Sequence, residues 1–332
     1  MTRLIKAAQR GDDDAFRALV EPHRAALHAH CYRMLGSLHD TEDALQDTLL
    51  RAWRGLEHFD ASRPLRPWLY RIATNVCLDQ LAKRPGRALP LERSPASAPA
   101  DGQGRPLTEL EWLEPYPDGT VPEGLAAPDA RYEQRESVEL AFVAALQHLP
   151  PRQRAVLIMR EVLGFSAREV AQALETTAAS VNSALQRARK TVEDELPDRS
   201  QQQTLRTLGD EQAAQVVRDY VAAWETRNVD AMVAMLVREA TFAMPPHPNW
   251  FQGGGDVVAF VAGAGTGAAA ARRYQRRGQP AIAWYILDPT GGSYEAASIE
   301  VLDLSGDKVK HITAFADAGF FPAFGLPGAL PA

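Results

Sequence analysis

Apolar residues recur at three- and four-residue intervals through 15–36, 41–56 and 66–82, for example Leu45, Leu49, Ala52, Trp53 and Leu56. That spacing predicts three amphipathic helices. Asp40 or Thr41 is placed to cap the second, whose first turn holds the acids that a helix dipole favours. The same period returns over 138–149, which stops at Pro150-Pro151, and over 153–163, which stops near Gly164. Two short apolar faces follow: Val170, Ala171 and Leu174, then Val181, Leu185 and Ala188, across a turn of about three residues. This is the layout of a helix-turn-helix, with Ser166 able to cap its first helix. Its second helix turns Ser180, Asn182, Ser183, Gln186 and Arg187 outward, amides and a guanidinium that suit base edges in a major groove. On periodicity alone, an ordinary helical hairpin fits as well as a DNA reader.

Beyond a polar break at 197–204, helical spacing resumes over 212–224 and 229–236. Then the period shortens. The runs 240–244, 282–287, 294–304 and 309–316 read as strands bounded by Pro245-Pro246, Asp288-Pro-Thr-Gly-Gly292 and Ser305-Gly-Asp307. Helices followed by a curved antiparallel meander make an α+β unit. Between the helical parts, 85–128 holds nine of the chain's 23 prolines and five glycines, which reads as a linker without helix or ladder. Its Trp112 and Tyr116 are aromatic anchors that a purely solvated tether does not need, and they predict docking.

Composition narrows the class. At 332 residues the chain is long enough for roughly two domains or three small ones. Apolar residues at 45% and charged ones at 23% exclude a wholly disordered or fibrous chain. No apolar run reaches the ~18 residues of a membrane span and the first ten residues lack a signal peptide's apolar stretch, so a cytoplasmic protein is expected. Two cysteines, Cys31 and Cys77, build neither a disulfide framework nor a thiolate zinc site. His28, His30 and Cys31 crowd one helix without a fourth ligand, so no metal and no cofactor is expected. The net charge of −6 argues against a nucleic-acid binder, but its distribution does not. Residues 39–60 carry six acids against two arginines, and 63–87 carry six bases against Asp79. Only the second block attracts phosphate, so two partner surfaces are implied.

Segments before and after the linker resemble the sigma-70 type initiation factors of bacterial RNA polymerase, specifically the small extracytoplasmic-function group. Asp40-Thr-Glu-Asp-Ala-Leu-Gln-Asp-Thr-Leu-Leu-Arg-Ala-Trp53 is similar to the family's polymerase-binding helix. Arg66-Pro-Trp-Leu-Tyr-Arg-Ile-Ala-Thr-Asn-Val-Cys-Leu-Asp79 is similar to its minus-ten helix. Leu149-Pro-Pro-Arg-Gln-Arg-Ala-Val-Leu157 with the helix-turn-helix resembles its minus-35 reader. The resemblance implies that Asp43, Gln46, Asp47 and Arg54 face core RNA polymerase. It implies that Arg63, Arg66, Trp68, Arg71, Asn75, Lys83 and Arg84 serve minus-ten promoter DNA, although Trp68, one turn ahead of Ile72, also suits a core. Ser180, Asn182, Ser183, Gln186, Arg187 and Arg189 would serve the minus-35 element. Glu175 stands where the family usually has glycine, which predicts a reshaped turn. Asn182 and Ala184 stand where it often has Lys and Arg, which predicts weaker minus-35 binding.

The last third resembles the SnoaL-like cones shared with ketosteroid isomerases and polyketide cyclases, an extension that certain extracytoplasmic-function sigma factors carry. Gln252-Gly-Gly-Gly-Asp-Val-Val-Ala-Phe260 matches the glycine-led helix start of such extensions; without a P-loop lysine, turn geometry explains its glycines. His247, Trp250, Trp284, Tyr285, His311 and Asp317 are candidates to line a cone pocket, His311 and Asp317 by alternation on one strand face. The expected fold class is multidomain, two all-α helical domains followed by an α+β SnoaL-like cone. The expected domains are 1–84, a linker at 85–134, 135–197 and 205–332. A sigma factor regulated in cis by its cone, which contacts the linker and the sigma domains, is the first reading. The alternative is a bifunctional protein whose cone senses a small molecule or acts as an isomerase-like or cyclase-like enzyme.

Overall fold

The computed structural model describes residues 2–83, 86–117, 138–197, 199–263, 269–274 and 279–331. Arg84 and the second half of the linker lie outside the described residues. The chain divides into two units, Met1–Arg87 with Thr120–Leu196, and Ala88–Gly119 with Pro197–Ala332.

The first unit is helical. Helix α1, Thr2–Ala8, precedes the first segment that the apolar pattern singled out. Helix α2, Asp13–Leu35, starts at Asp12, whose side chain accepts from the Ala15 N–H, and ends at Gly36, where φ is +68°. Helix α3, Leu38–Gly55, is capped by Ser37 rather than by Asp40 or Thr41: the Ser37 Oγ accepts from the Asp40 N–H at 3.0 Å, so the helix begins ahead of the acidic run. Helix α4 is Leu65–Leu81. After the linker come α5, Leu140–Gln147, and α6, Pro151–Leu157, which runs on as a π turn over Ile158–Val162. Helices α7, Ala167–Ala173, and α8, Ala178–Glu195, form the helix-turn-helix. Ser166 caps α7 in a capping box with Glu169, as its position implied.

The two helical groups share one apolar core, in which Leu27, Met34, Leu45 and Leu69 join Leu146, Leu157, Val170 and Val181. Arg154 fastens it. Almost fully buried, its Nη1 donates to Met34 O in α2 and to Gln147 Oε1 at 2.6 Å, while Nη2 donates to Gln147 O at 3.2 Å and Leu149 O at 3.3 Å. A buried guanidinium is tolerated only when its protons are taken up in this way.

The second unit is α+β. Helices α9, Gln201–Leu208, α10, Asp210–Glu225, and α11, Val229–Met235, lead into β1, Leu236–Ala243. There follow β2, Trp250–Gln252, α12, Gly254–Gly263, β3, Ala269–Tyr274, and β4, Ala281–Leu287. The chain closes with β5, Ser293–Ser305, β6, Lys308–Phe315, and β7, Ala329–Pro331. The sheet order is β2-β1-β6-β5-β4-β3, with β7 also paired to β5. It is not a pure meander, because β1 and β6 run parallel. The polar break at 197–204 is partly structured as well. Gln201 is buried in α9 and its amide pairs with Leu304, donating to the carbonyl at 2.8 Å and accepting from the N–H at 2.9 Å.

One sheet face packs on the helices, with Tyr220 and Val221 of α10, Met232 of α11 and Phe260 of α12 against Phe242, Ile282, Leu302 and Ile312. The glycine run serves the turn from β2 into α12, where Gly253 holds φ +95°.

Candidate functional sites

On α3, Ala44, Leu45 and Ala52 are buried, which leaves Asp43, Gln46 and Arg54 exposed and Asp47 half-exposed on the other side. Asp47 pairs with Arg51 at 3.0 Å, and Arg51 also donates to Asp79 of α4 at 2.9 Å. The face is polar and rigidly carried. Helix α4 presents Arg66 half-buried and Arg71 exposed. Both are engaged. Arg66 Nη2 donates to Leu163 O at 2.9 Å, and its guanidinium lies over the Phe165 ring at 4.4 Å. Arg71 pairs with Glu175 at 2.6 Å. Arg63 approaches Asp60 at 3.6 Å, and Lys83 is exposed. Asn75 is half-buried. Trp68 packs its ring 4.7 Å from that of Phe59 and is itself half-buried.

The turn between α7 and α8 keeps the shape of a glycine turn without the glycine. Glu175 takes φ +52°, the left-handed conformation, and the Thr176 N–H returns to Ala171 O at 2.9 Å. On α8, Ser180, Asn182, Ser183, Gln186 and Arg187 are all exposed, opposite the buried Val181, Leu185 and Ala188. Arg189 does not join them. It turns inward to the buried Glu161 of the π turn, Nη2 to Oε1 at 2.6 Å. No apolar periodicity reveals that partner, because Glu161 sits in a segment that reads as core.

The described half of the linker docks on the α+β unit. Trp112 and Tyr116 are buried, and Trp112 bridges to Ala88 and donates to Leu107 O at 2.8 Å. Residues 94–107 then follow the segment 246–250. Ser97 N–H donates to Trp250 O at 2.8 Å, Leu107 N–H to Pro246 O at 2.9 Å, and Trp250 Nε1 to Ser94 O at 2.7 Å. Asn249 Nδ2 donates to Gly102 O at 2.9 Å, and His247 Nδ1 meets Gly104 O at 3.1 Å. A carbonyl only accepts, so His247 carries its proton on Nδ1.

Behind this contact lies a cavity of about 820 Å³. His247 and Trp284 line it; Trp250, Tyr285, His311 and Asp317 do not. Tyr285 donates to Pro327 O at 3.0 Å, His311 Nδ1 bonds Thr241 Oγ1 at 2.7 Å, and Asp317 accepts from the Gly319 N–H at 2.8 Å. The strand face that alternation assigned to the pocket is the opposite one, since Ala314 and Ala316 are its wall. The polar centre is instead Glu300 of β5, fully buried and accepting from the Tyr220 hydroxyl at 2.8 Å. A lone acid inside the apolar run from Ile299 to Leu302 was the available signal. Burial pushes its carboxyl up to about 7.

A helix-turn-helix joined to a helical bundle with a basic helix defines a sigma-type initiation factor, and comparison with known proteins agrees. The chain matches Sigma-70 region 2 over residues 19–85, Sigma-70 region 4 over 139–192 and the SnoaL-like domain over 217–312. It is 43% identical over 326 residues to the ECF RNA polymerase sigma factor SigG of Mycobacterium tuberculosis (strain CDC 1551 / Oshkosh), covering 97% of this chain and 86% of that protein. To SigW of Bacillus subtilis (strain 168) it is 30% identical over 197 residues, 58% of this chain and 95% of that one. The crystal structure of the M. tuberculosis extracytoplasmic function sigma factor SigJ shares the fold, with a TM-score of 0.58 at 23% identity over 94% of this chain and 99% of that one. The chain belongs to the extracytoplasmic-function RNA polymerase sigma factors. It binds core RNA polymerase and promoter DNA and directs initiation at specific promoters.

Proposed function

We propose that this sigma factor is regulated in cis, by its SnoaL-like domain acting through the linker. The observation that carries the reading is the run of hydrogen bonds from residues 94–107 to 246–250, which makes the tether between the sigma modules a ligand of the third domain. A tethered domain works at an effective concentration of about millimolar, so contacts too weak for a free partner suffice to bias the sigma modules. A second feature fits. Arg66 and Arg71 are the cations of α4 best placed for minus-ten phosphates, yet they are committed to Leu163, Phe165 and Glu175. DNA binding has to release them.

In this reading Asp43, Gln46, Asp47 and Arg54 meet core polymerase in the cytoplasm. Arg63, Arg66, Arg71, Asn75 and Lys83 meet the minus-ten region, and the exposed face of α8 meets the minus-35 element. The test is transcription from a cognate promoter with core polymerase, comparing the full chain with a chain ending at Gln203 and with the double variant Trp112→Ala/Tyr116→Ala. Both changes should alter promoter-specific output several-fold. Output equal to that of the full chain in both would remove cis regulation.

A further inference from the structure

The chain passes from the first unit to the second between Arg87 and Ala88, and it is fastened on both sides of that peptide bond. Arg87 is held by the helical unit: its Nη2 donates to Asp40 Oδ2 at 2.5 Å. The two side chains are only 10% and 16% exposed, against 47% and 75% for Arg71 and Glu175, so solvent and salt screen this pair far less. By sequence Arg87 belongs to the basic block expected to attract phosphate, and Asp40 to the acidic block. In the structure the two blocks meet here. Asp40 lies in the first turn of α3, where the Ser37 hydroxyl caps its N–H, and α3 is the helix that carries Asp43, Gln46, Asp47 and Arg54. A helix start favours an acid and disfavours a cation, so the carboxylate, and not the helix dipole, keeps Arg87 in place.

Ala88 is held by the other unit. Its N–H donates to Glu111 O at 3.3 Å and its carbonyl accepts from the Leu113 N–H at 3.2 Å, which makes the bridge to Trp112. Trp112, Leu113 and Tyr116 are buried, and residues 94–107 follow 246–250 through the hydrogen bonds described above. A flexible linker decouples the domains it joins, because its free residues absorb displacement. Between Arg87 and Ala88 there is no such residue. The peptide bond itself is rigid, so a change in the docking of 88–116 has to be taken up by the torsions on either side of it or by the Arg87–Asp40 pair. We propose that Arg87 and Asp40 are positioning residues that pass the docking state of the linker to α3, and through it to the affinity for core polymerase. This link rests on the cis-regulation reading and adds the place where that regulation acts.

The test is a mutant cycle on the full-length chain, read as the dissociation constant for core polymerase by fluorescence anisotropy. One arm undocks the linker with Trp112→Ala/Tyr116→Ala. The other breaks the pair with Arg87→Met, which keeps the stem and removes the charge. Undocking should change the constant about fivefold or more in the parent. In Arg87→Met the same undocking should change it less than about twofold, because two perturbations of one link are not additive. Asp40→Asn should repeat that result from the other side of the pair, and Arg87→Lys, which keeps a cation, should retain the response of the parent. Thermal melting by circular dichroism checks that each protein is folded, and Asp40→Asn carries the test if Arg87→Met does not fold. A pair with a structural role alone would lower the melting temperature and leave the effect of undocking intact.

The link is overturned if undocking changes the constant as much in Arg87→Met and Asp40→Asn as in the parent. It is overturned as well if undocking alters transcription without altering affinity for core polymerase, and that result leaves cis regulation standing by another route. Undocking that alters neither removes cis regulation and the link with it.

Discussion

The two units place their polar chemistry in opposite ways. On α8 the helical period separates function from core: Ser180, Asn182, Ser183, Gln186 and Arg187 lie outside, and Val181, Leu185 and Ala188 lie inside. In the SnoaL-like unit a polar pair lies inside, where the Tyr220 hydroxyl donates to the Glu300 carboxyl at 2.8 Å within an apolar shell. Surface chemistry follows the pattern of a sequence. Buried chemistry violates it, and has to be found as an exception.

The sharpest way to break this comparison is pH. Burial holds the Glu300 carboxyl at about 7 in place of its ordinary 4.5, and that of Asp303 at about 6 in place of 3.8. Such acids keep protons that the unfolded chain has released. Their contribution to stability is therefore complete below about pH 4 and is lost as pH rises to about 7, by roughly 3 kcal/mol for Glu300. His311 in the same unit is lowered to about 4 by burial and then by Lys310, and works the other way between pH 4 and 6.5. The expected result is that parent minus Glu300→Gln, measured by urea unfolding, falls from pH 5 to about pH 7 and levels off above it. The helical unit should show the reverse slope. Buried His30 is lowered to about 3, by desolvation and then by Arg33, so its neutral form stabilises the fold above pH 6.5 and this is lost on acidification. If Glu300→Gln leaves the pH profile of the parent unchanged, the buried acid is not what distinguishes the units.

The next largest effect tests a place where the helical unit imitates its neighbour. Arg154 sits in the pattern as one basic residue of Pro-Arg-Gln-Arg, which reads as an exposed helix start, yet it is 1% exposed and donates to carbonyls of Met34, Gln147 and Leu149. Arg154→Met preserves the stem and strands those carbonyls, which should cost about 3 kcal/mol of helical-unit stability. A loss below about 1 kcal/mol would mean that water replaces the guanidinium at no great cost.

These two cases show what could be read beforehand. The helices came from the 3.6 period, and the helix-turn-helix from its two apolar faces, because each helix buries one stripe against a single core. The exposed face of α8 was legible for the same reason. Strands β2 and β7 were not, since three residues carry no period. The pocket candidates chosen by aromatic or imidazole character divided: His247 and Trp284 line the cavity, while His311 and Asp317 fall on the other face of β6 and beyond its end. Alternation names two faces and does not say which one the helices cover. Glu300, one acid in an apolar strand, reads as noise until Tyr220, 80 residues away, is brought beside it.

A smaller effect sharpens the surface side of the comparison. Arg187 is exposed on α8 and Arg189, two positions on, is paired inward with Glu161. Arg187→Ala should weaken promoter binding by about 1–3 kcal/mol if it contacts a base, or lower the salt slope by about one if it contacts phosphate. Arg189→Ala should instead reduce stability and leave the salt slope of binding unchanged. Equal effects of both on binding would mean that the inward pair opens on DNA.

The smallest expected effect concerns the turn between α7 and α8, where backbone conformation and charge meet at a single residue. Glu175 holds φ +52°, a conformation that costs a residue with a Cβ about 1 kcal/mol relative to glycine. Its carboxylate pairs with Arg71 at 2.6 Å, but both side chains are exposed, at 47% and 75%, so the pair contributes only about 0.5 kcal/mol. Glu175→Gly removes both at once. Because the backbone term exceeds the surface pair, the helical unit should gain roughly 0.5 kcal/mol in urea unfolding at low salt, and slightly more at high salt, where the lost pair is worth less. The same substitution frees Arg71, one of the cations assigned to minus-ten DNA, and should strengthen binding to a promoter fragment about twofold. A variant stabilised with no change in DNA binding would place Arg71 away from phosphate. A variant destabilised by more than about 0.5 kcal/mol would show that the ion pair, and not the backbone, holds the turn in its present form.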